Sequence, residues 1–340
     1  MGTNLKELLV MEEITLDKLK NKILVVDTFN VLYQFLSTIR QRDGTPLKDS
    51  RGRITSHLTG LFNRTTRLMK EGIKLAFVFD GEPPGLKQKE RERRVNVKIE
   101  AMKEYEKAKE RGDIEDMKKY ASRTSRLTGE MIEESKELIR ALGLPVIQAP
   151  SEGEAQVAYI VGQGDAFAGV SEDYDSLLYG IPKLVKNLTI SGKKKFGATY
   201  VTVKPKIVSI SENLNNLGID KDQLIILAIL VGTDYNPGGV KGIGPKTALK
   251  LVKEHKHDFN KLFKEIDMDF DFSWEEIYNL IKNMPVTKEY EIKWNKVDED
   301  KIYKLLVEEH NFSKERVDNA LKELLEAQKS KTQKGLGEWV

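Results

Sequence analysis

Seven acidic residues stand at or just after short apolar segments of the chain, in positions where they could hold metal ions. The segments ILVVD (23–27), LAFVFD (75–80) and FAGVSED (167–173) each end in an acid, and two acids follow closely behind LPVIQ (144–148). Buried parallel strands have this apolar composition, and ligands bind beyond the carboxyl ends of such strands. The seven acids are Asp27, Asp80, Glu152, Glu154, Asp173, Asp175 and Asp234.

Gathering these carboxylates at one edge of a sheet would crowd negative charges, which is unfavourable unless a cation neutralises them. Mg²⁺ fits this role, with Mn²⁺ as a substitute, because hard divalent cations choose oxygen ligands. Two such ions about 3.5–4 Å apart would clamp the attacking and leaving oxygens of a phosphodiester during hydrolysis. The acids therefore predict a site with two Mg²⁺ ions and phosphodiester chemistry.

Each acid taken singly also has a purely structural interpretation. Ser151 and Glu154 have the spacing of a helix capping box, and Asp175 could cap a helix N-terminus. Asp27 and Asp80 could simply end their strands, since Asp favours turns. The repetition of the pattern, rather than any single acid, favours a metal site.

Residues 86–126 form a basic, mostly helical segment between two regions that are predicted to form the sheet, with 14 Lys/Arg and 9 Asp/Glu. Four cations recur there at i, i+4, i+7 and i+11, on one stripe of a helix: Lys87, Arg91, Arg94 and Lys98. A row of cations beside an acidic metal site would stabilise the charge that develops on a phosphate in the transition state. The alternative is a solvated charged face with pairs to Glu90 and Glu100.

A glycine-rich turn, GIGPKT, opens another predicted helix. Gly242 and Gly244 would let a phosphate approach the backbone, and Pro245 suits the first turn of a helix. Together with Lys246 they predict a clamp for the DNA backbone over residues 221–256, the alternative being an ordinary helix–turn–helix connection. A P-loop is excluded, because Pro245 stands where that motif needs Gly before its Lys.

Helical patterns alternate with the apolar segments, and this alternation predicts an α/β fold with a mostly parallel central sheet flanked by helices. We expect a single domain over residues 1–328 and a flexible tail at residues 329–340. The predicted helices are 29–40, 55–70, 129–142, 152–161, 221–231, 246–255 and 313–328.

The bulk composition excludes several classes of protein. Of 340 residues 39% are hydrophobic, enough for a large core, and the net charge of +3 says little about partners. The absence of Cys excludes disulfides and thiolate metal sites, and the four His residues are scattered along the chain. We find no secretory signal and no apolar stretch long enough to cross a membrane, so we expect an intracellular protein, cytoplasmic if prokaryotic, without membrane contact.

Taken together, these motifs resemble the flap endonuclease branch of the structure-specific 5′ nuclease family. The resemblance runs from Gly2 to the last residue and is carried by the strings VVDTFNVLYQFL (25–36), SHLTGLFNRTTRLMKEGIKLAFVFDGEPPGLK (56–87), APSEGEAQVAYI (149–160), SEDYDSLLYG (171–180) and LVGTDYNPGGVKGIGPKTA (230–248). It implies a PIN-like 5′ nuclease fold with a helical arch over residues 86–126 and a helix–two-turn–helix element over residues 221–256. It also implies 5′-flap endonuclease and 5′–3′ exonuclease activity in Okazaki fragment maturation and base excision repair.

The resemblance also assigns roles to individual residues and places the seven acids at one two-metal site. Nearer one ion would lie Asp80, Glu152 and Glu154. Nearer the other would lie Asp173, Asp175 and Asp234. Lys87 and Arg94 match the catalytic cations at the base of the arch, and Tyr33 matches an aromatic residue that stacks on the nucleotide at the cut. The partner would be branched duplex DNA with a 5′ flap. The glycine turn would grip the duplex backbone, with a K⁺ ion as a further cofactor. The implied DNA-binding residues are Gly2, Tyr33, Arg40, Arg64, Arg67, Gly242, Gly244 and Lys246.

The C-terminal residues Gln333, Leu336 and Trp339 have the spacing Q-x-x-L-x-x-W. A tail with such anchors could dock into the groove of a partner, although so short a motif can also be meaningless. It resembles the box by which this family binds the sliding clamp (PCNA), and departs from it at Val340, where a second aromatic residue is usual. The chain stops at this box without the basic extension of eukaryotic members, so we expect an archaeal-type protein.

Two other functions stay open at this point. A catalytically silent DNA-junction binder would keep the glycine turn and the tail, but it would not need seven acids. An exonuclease or junction resolvase of the same family would keep the acids. The arch with Lys87 and Arg94, together with the clamp-binding box, favours flap cutting.

Overall fold

The computed structural model describes residues 3–190, 193–196, 199–266 and 272–337. Its strands in chain order are β1 (Glu12–Glu13), β2 (Ile23–Asp27), β3 (Lys74–Phe79), β4 (Val146–Gln148), β5 (Ala168–Val170), β6 (Lys183–Lys186), β7 (Lys193–Phe196), β8 (Thr199–Thr202) and β9 (Lys206–Ser209). Its α-helices are α1 (Leu16–Leu19), α2 (Thr28–Thr38), α3 (Ser56–Lys70), α4 (Gln88–Glu110), α5 (Ile114–Ala121), α6 (Gly129–Ala141), α7 (Gly153–Gly162), α8 (Asp175–Leu178), α9 (Ile210–Leu217), α10 (Lys221–Val231), α11 (Pro245–His255), α12 (Phe259–Lys264), α13 (Trp274–Lys282), α14 (Glu299–Tyr303) and α15 (Lys314–Gly337).

A seven-stranded sheet in the order β1-β9-β6-β5-β2-β3-β4 forms the centre of the fold. The five strands from β6 to β4 run parallel, which confirms the mostly parallel sheet; four of them were predicted from the sequence, and β6 was not. At the other edge β9 and β1 are antiparallel, so the sheet is mixed. Strands β7 and β8 form a separate antiparallel pair.

Both faces of the sheet are buried, because its strands carry apolar residues at successive positions. Leu24 and Val26 of β2 pack in the core on one face, while Val25 between them packs in the core on the other. This alternation follows from the period of two along a strand. It explains why the segment reads as continuously apolar and why helices cover both sides.

The register of the sheet places the carboxyl ends of its central strands side by side. Asp27 at the end of β2 pairs with Val78 of β3, and Val26 pairs with Val170 of β5. The chain therefore leaves β2, β3 and β5 at nearly the same level. The acids that follow these strands begin from one edge of the sheet.

The basic segment folds into α4 and α5, which turn back on each other at Gly112, where φ is +67°. The small, buried side chains of Ala101 and Ala108 allow the helices of the arch to pack closely. Lys87 precedes α4 at the end of a short 3₁₀ turn, so it stands at the base of the arch rather than on the helical stripe. The arch borders a cavity of about 1020 Å³.

Two buried histidines join the C-terminal part of the chain to α3 and α6. His57 Nε2 lies 3.0 Å from one carboxylate oxygen of Glu134, and His310 Nε2 lies 3.0 Å from the other. Burial alone would raise the pKa of Glu134, but hydrogen bonds from His310 and His57 outweigh it and lower the pKa to about 2. Residues that are far apart in the sequence thus meet in one structural cluster.

The last helix differs from the sequence-based expectation. We expected a helix ending at residue 328 and a flexible tail beyond it, whereas α15 runs from Lys314 to Gly337. The segment is rich in Lys, Glu, Ala and Gln, which are good helix formers, so the helical pattern continues past the apolar positions that pack on the core. None of the described helices has the length and apolar character needed to cross a membrane.

Candidate active site

Asp27 and Asp80 lie at the ends of adjacent strands. Asp27 caps α2, and its Oδ1 accepts a hydrogen bond from the backbone N–H of Asn30 at 3.3 Å. Asp80 follows β3, and its Oδ1 accepts from the backbone N–H of Gly153 at 2.7 Å, which ties it to the start of α7. A Cβ at position 153 would lie 2.3 Å from that oxygen, so this close approach requires glycine.

Asp173 lies in the loop between β5 and α8, and Asp175 is the first residue of α8. The Oδ2 of Asp173 accepts a hydrogen bond from Nδ2 of Asn30 at 2.8 Å. The Oδ1 of Asp175 accepts from the backbone N–H of Thr3 at 2.7 Å. The N-terminal segment and the first turn of α2 thus hold the two carboxylates in place.

Ser171 connects three of the strand-end segments from within the site. Its hydroxyl lies 3.2 Å from Oδ2 of Asp27 and 3.4 Å from Oε1 of Glu154. It also accepts a hydrogen bond from the backbone N–H of Asp173 at 3.2 Å. One hydroxyl hydrogen cannot serve both carboxylates at once, so the two acids compete for it.

The pKa shifts reveal which acids are close enough to repel one another. Burial, followed by the charges of Asp80 and Asp173, raises the pKa of Asp27 well above its usual value. Burial, followed by the charges of Asp175 and Asp27, does the same for Glu154. Such repulsion requires short distances, so these five acids, of which Asp27 is buried and the others are half-buried, share one poorly solvated region.

The remaining two acids, Glu152 and Asp234, are close enough to repel members of this set. Burial and the charge of Glu152 raise the pKa of Asp80 to about 7. Burial and the charge of Asp234 raise the pKa of Asp175 to about 6. All seven acids named from the sequence are therefore brought together at one edge of the sheet.

Lys87 and Arg94 reach this cluster from the base of the arch. Lys87 Nζ lies 2.7 Å from Oε2 of Glu152 and 3.2 Å from Oδ2 of Asp234. The Arg94 guanidinium donates to both carboxylate oxygens of Asp234 at 2.8 Å and to Glu90 at 2.7 Å. Burial alone would raise the pKa of Asp234, but the charges of Lys87 and Arg94 outweigh it and lower the pKa.

The donor set of this cluster suits a hard divalent cation. Its acids supply carboxylate oxygens, and a cation among them would relieve the repulsion that raises their pKa values. As the side chains stand, no three His, Asp or Glu in the described part of the chain form a group that could hold an ion. Lys87 and Arg94 pair with Glu152 and Asp234 in this arrangement, so they compete with an ion for these two carboxylates.

Comparison with known proteins places this arrangement in a family. The XPG N-terminal domain family matches residues 3–101, and the XPG I-region family matches residues 143–234. Flap endonuclease 1 of Thermococcus onnurineus is 51% identical over 341 aligned residues, which cover 100% of this chain and 99% of that protein. The chain belongs to the flap endonuclease 1 family. Its resemblance to archaeal members is thereby confirmed.

Solved structures of the flap endonuclease family and its relatives share the fold. Flap endonuclease-1 from Methanococcus jannaschii is 39% identical with a TM-score of 0.76, and the match covers 97% of this chain and 100% of that one. The catalytic core of Rad2 in complex with DNA substrate is 25% identical with a TM-score of 0.69, over 95% of this chain and 100% of that one. The central sheet flanked by helices is therefore the fold of structure-specific nucleases.

Two structural interpretations of single acids are wrong. Ser151 does not form a capping box with Glu154: α7 is capped at Glu152 without a side-chain hydrogen bond, and the Ser151 hydroxyl donates to the carbonyl of Glu82 at 2.9 Å. Asp175 lies within the first turn of α8 rather than at its N-cap. The reason is the same in both cases, since tertiary partners engage the side chains that local spacing assigns to a cap.

Sequence reasoning missed several residues that hold the acids. Asn30, Ser171 and Thr3 bond directly to the predicted site residues but are uncharged and isolated in the sequence. The polar Asn30, one turn after Asp27 in the first turn of a helix that packs on the core, was the one available signal. No comparable signal in the sequence marked Tyr179 and Tyr235, whose hydroxyls lie 2.9 Å apart.

The residues that the flap endonuclease resemblance assigns to DNA lie on several surfaces. Tyr33 is 40% exposed at the arch cavity, with Lys98 Nζ 5.4 Å from its ring centroid. Arg40 donates to the carbonyl of Gly44 at 2.8 Å and to Ser125 at 2.6 Å, so it also holds local structure. Arg64 and Arg67 lie together on α3, where burial and then the charge of Arg67 lower the pKa of Arg64. Gly2 lies outside the described residues.

The glycine turn presents open backbone at the start of α11. Gly242 has φ of +84°, Gly244 caps the helix, and Pro245 occupies its first turn. A Cβ at Gly242 or Gly244 would meet no atom within 4 Å, so the space above both residues is free for a ligand. Lys246 is exposed beside them.

The tail motif is described only in part. Gln333 and Leu336 fall within α15, but their side chains lie outside the described residues. Trp339 and Val340 lie outside them entirely. The clamp-binding prediction therefore stays a prediction.

Proposed function

We propose that this protein hydrolyses phosphodiesters at 5′-flap junctions of DNA, as an endonuclease and 5′–3′ exonuclease that depends on Mg²⁺. The observation that carries the proposal is the group of seven mutually repelling acids, with Lys87 and Arg94 paired to two of them. Membership of the flap endonuclease 1 family supports the choice of substrate. The proposed roles are Okazaki fragment maturation and base excision repair.

The acids would hold two divalent cations, in the two groups that the family resemblance implies. Bound there, Mg²⁺ or Mn²⁺ would supply an activated water and neutralise charge on the phosphate. Lys87 and Arg94 already lie against the acids, and a phosphate entering the site would offer them a new anionic partner. They would then stabilise the charge that develops on it.

Other parts of the chain would bind and select the DNA. Tyr33 would stack on the nucleotide at the cut, and the flap would pass through or under the arch beside cations such as Lys98. The turn from Gly242 to Lys246 would grip the duplex backbone, with K⁺ as a further ion at this element. The tail with Gln333, Leu336, Trp339 and Val340 would bind the sliding clamp (PCNA).

A cleavage assay tests this function directly. Purified protein with Mg²⁺ should cut a labelled 5′-flap duplex at the junction. Asp80→Ala and Asp175→Ala should abolish cutting while keeping flap-DNA binding in Ca²⁺. The control Glu133→Ala, an exposed acid paired with Lys136, should cut normally.

Three outcomes would contradict the proposal. Full activity in both acid variants would refute the role of the site. Tight junction binding without cleavage in Mg²⁺ or Mn²⁺ would favour a silent binder. Faster cleavage of four-way junctions, nicks or blunt ends than of flaps would favour a sibling enzyme.

A further inference from the structure

Asn30 connects two neighbouring strand-end segments of the site through one side chain. Its Nδ2 donates to Oδ2 of Asp173 at 2.8 Å, and its Oδ1 accepts from the backbone N–H of Glu172 at 3.0 Å. Its own backbone N–H donates to Oδ1 of Asp27 at 3.3 Å. The residue therefore contacts the acid that ends β2 and the loop that follows β5.

The orientation of this amide is set by its partners. A carboxylate accepts hydrogen bonds and a backbone N–H donates one, so the NH₂ group must face Asp173 and the carbonyl must face Glu172. The first turn of α2 fixes the backbone of Asn30, and the ring of Phe29 packs edge-on against Phe79 at 6.2 Å between centroids. The amide thus projects from a rigid element.

We propose that Asn30 is a positioning residue that fixes the orientation of the Asp173 carboxylate for binding a divalent cation. The proposal rests on the metal-dependent function proposed above. A neutral amide suits this task better than a Lys or Arg would. It holds the carboxylate in place, yet it brings no positive charge that would compete with the metal ion.

The contrast with Lys87 supports this division of roles. Lys87 pairs with Glu152 and Asp234 through a full positive charge, so it competes electrostatically with an ion for these carboxylates. Asn30 can keep its hydrogen bond to one oxygen of Asp173 while that carboxylate binds an ion, because a carboxylate has about four lone-pair sites. The amide can therefore restrain Asp173 both before and after an ion binds.

Manganese binding to the free protein tests the proposal apart from catalysis. Asn30→Ala removes the amide, and Asn30→Leu removes it while keeping a side chain branched at Cγ. Both variants should raise the Mn²⁺ dissociation constant, measured by electron paramagnetic resonance, by about 10–100-fold. Flap-DNA binding in Ca²⁺ should be unchanged, and cleavage should need correspondingly more Mg²⁺.

Gln34→Ala is the matched control, because Gln34 lies one turn further along the same helix face and its Oε1 accepts from Thr189 at 2.6 Å rather than bonding to an acid. It should bind Mn²⁺ like the wild type. Wild-type Mn²⁺ affinity in both Asn30 variants, or equal weakening in Gln34→Ala, would overturn the proposal. Failure of both Asn30 variants to fold, judged by circular dichroism, would make the amide a structural requirement and overturn it too. If the wild type neither binds Mn²⁺ nor cuts flaps, the proposed function itself fails.

Discussion

The ammonium group of Lys87 lies 2.7 Å from Oε2 of Glu152. Burial alone would lower the pKa of Lys87, but the charges of Glu152 and Asp234 outweigh it and raise the pKa, so this cation stays charged. A residue proposed to act on the phosphate is thus held by two residues proposed to bind metal. Lys87 and a metal ion would compete for the same carboxylates.

The variant Lys87→Met should therefore have two opposite effects. Turnover on a 5′ flap should fall about 10²–10³-fold, since a preorganised cation at the phosphate is lost. Mn²⁺ binding should be equal to or tighter than that of the wild type, because a competing charge is removed. Single-turnover cleavage and Mn²⁺ titration measure the two effects separately.

Lys107→Met is the control for this change. Lys107 lies on the same arch helix and pairs with Glu104 at 2.7 Å, away from the acid cluster. It should keep both wild-type turnover and wild-type Mn²⁺ affinity. Weaker Mn²⁺ binding in Lys87→Met would show that this residue organises the acids rather than competing for them.

The buried acids should make stability depend on pH when metal is absent. The pKa of Asp80 is raised from 3.8 to about 7 and that of Asp175 from 3.8 to about 6. Between the unfolded and folded values the native state binds more protons, so the free energy of unfolding falls as pH rises. In EDTA, the contribution of these two acids to the melting temperature should therefore decrease from about pH 4 to about pH 7.5 and then level off.

Asp80→Asn provides the test of this explanation, because it removes one repelling charge without changing shape. At pH 7.5 in EDTA it should melt a few degrees higher than the wild type. Each kcal/mol of relieved repulsion raises the melting temperature by about 2–4 °C in a large domain. Added Mn²⁺ should stabilise the wild type more than the variant. A flat pH profile, or a lower melting temperature for Asp80→Asn at pH 7.5, would contradict the predicted repulsion.

The sequence predicts the sheet and the acid cluster well because both follow from local patterns. Continuous apolar strands such as 23–27 must be buried on both faces, and the acids after them must share an edge if the strands are parallel. The antiparallel strands β1 and β9 were not predicted. Their formation depends on pairing across the chain, Glu12 with Ile207 and Glu13 with Lys206, rather than on a pattern within either segment.

Contacts between distant residues limit prediction of the site in the same way. The hydrogen bond between Asn30 and Asp173 cannot be predicted from the sequence, because it forms only when β2 and β5 lie side by side. The histidines lie far apart in the sequence, yet His57 and His310 share Glu134. Lys87 could be assigned to the site by resemblance, but its ion pairs could not be read from any spacing.

Duplex binding at the glycine turn should depend on salt through Lys246. Lys246→Ala should weaken binding to flap and blunt duplexes alike and reduce the slope of log K against log salt by about 1, as expected for one lost phosphate contact. Lys250→Ala, one turn further along α11 and paired with Glu254 at 3.7 Å, should change the slope less. Fluorescence anisotropy over a salt series gives both values. An unchanged slope in Lys246→Ala would remove this residue from the DNA interface.

Removing the tail should separate clamp stimulation from cleavage. Val317, Leu321 and Leu324 anchor α15 in the core, so deletion of residues 333–340 should leave the fold and basal cleavage intact. Stimulation by PCNA should be lost in this truncation and strongly reduced in Trp339→Ala, because a large aromatic anchor carries much of the energy of such a contact. Lys329→Ala, an exposed change upstream of the motif, should respond to the clamp like the wild type. Undiminished stimulation of the truncated protein would mean that the clamp binds elsewhere on the chain.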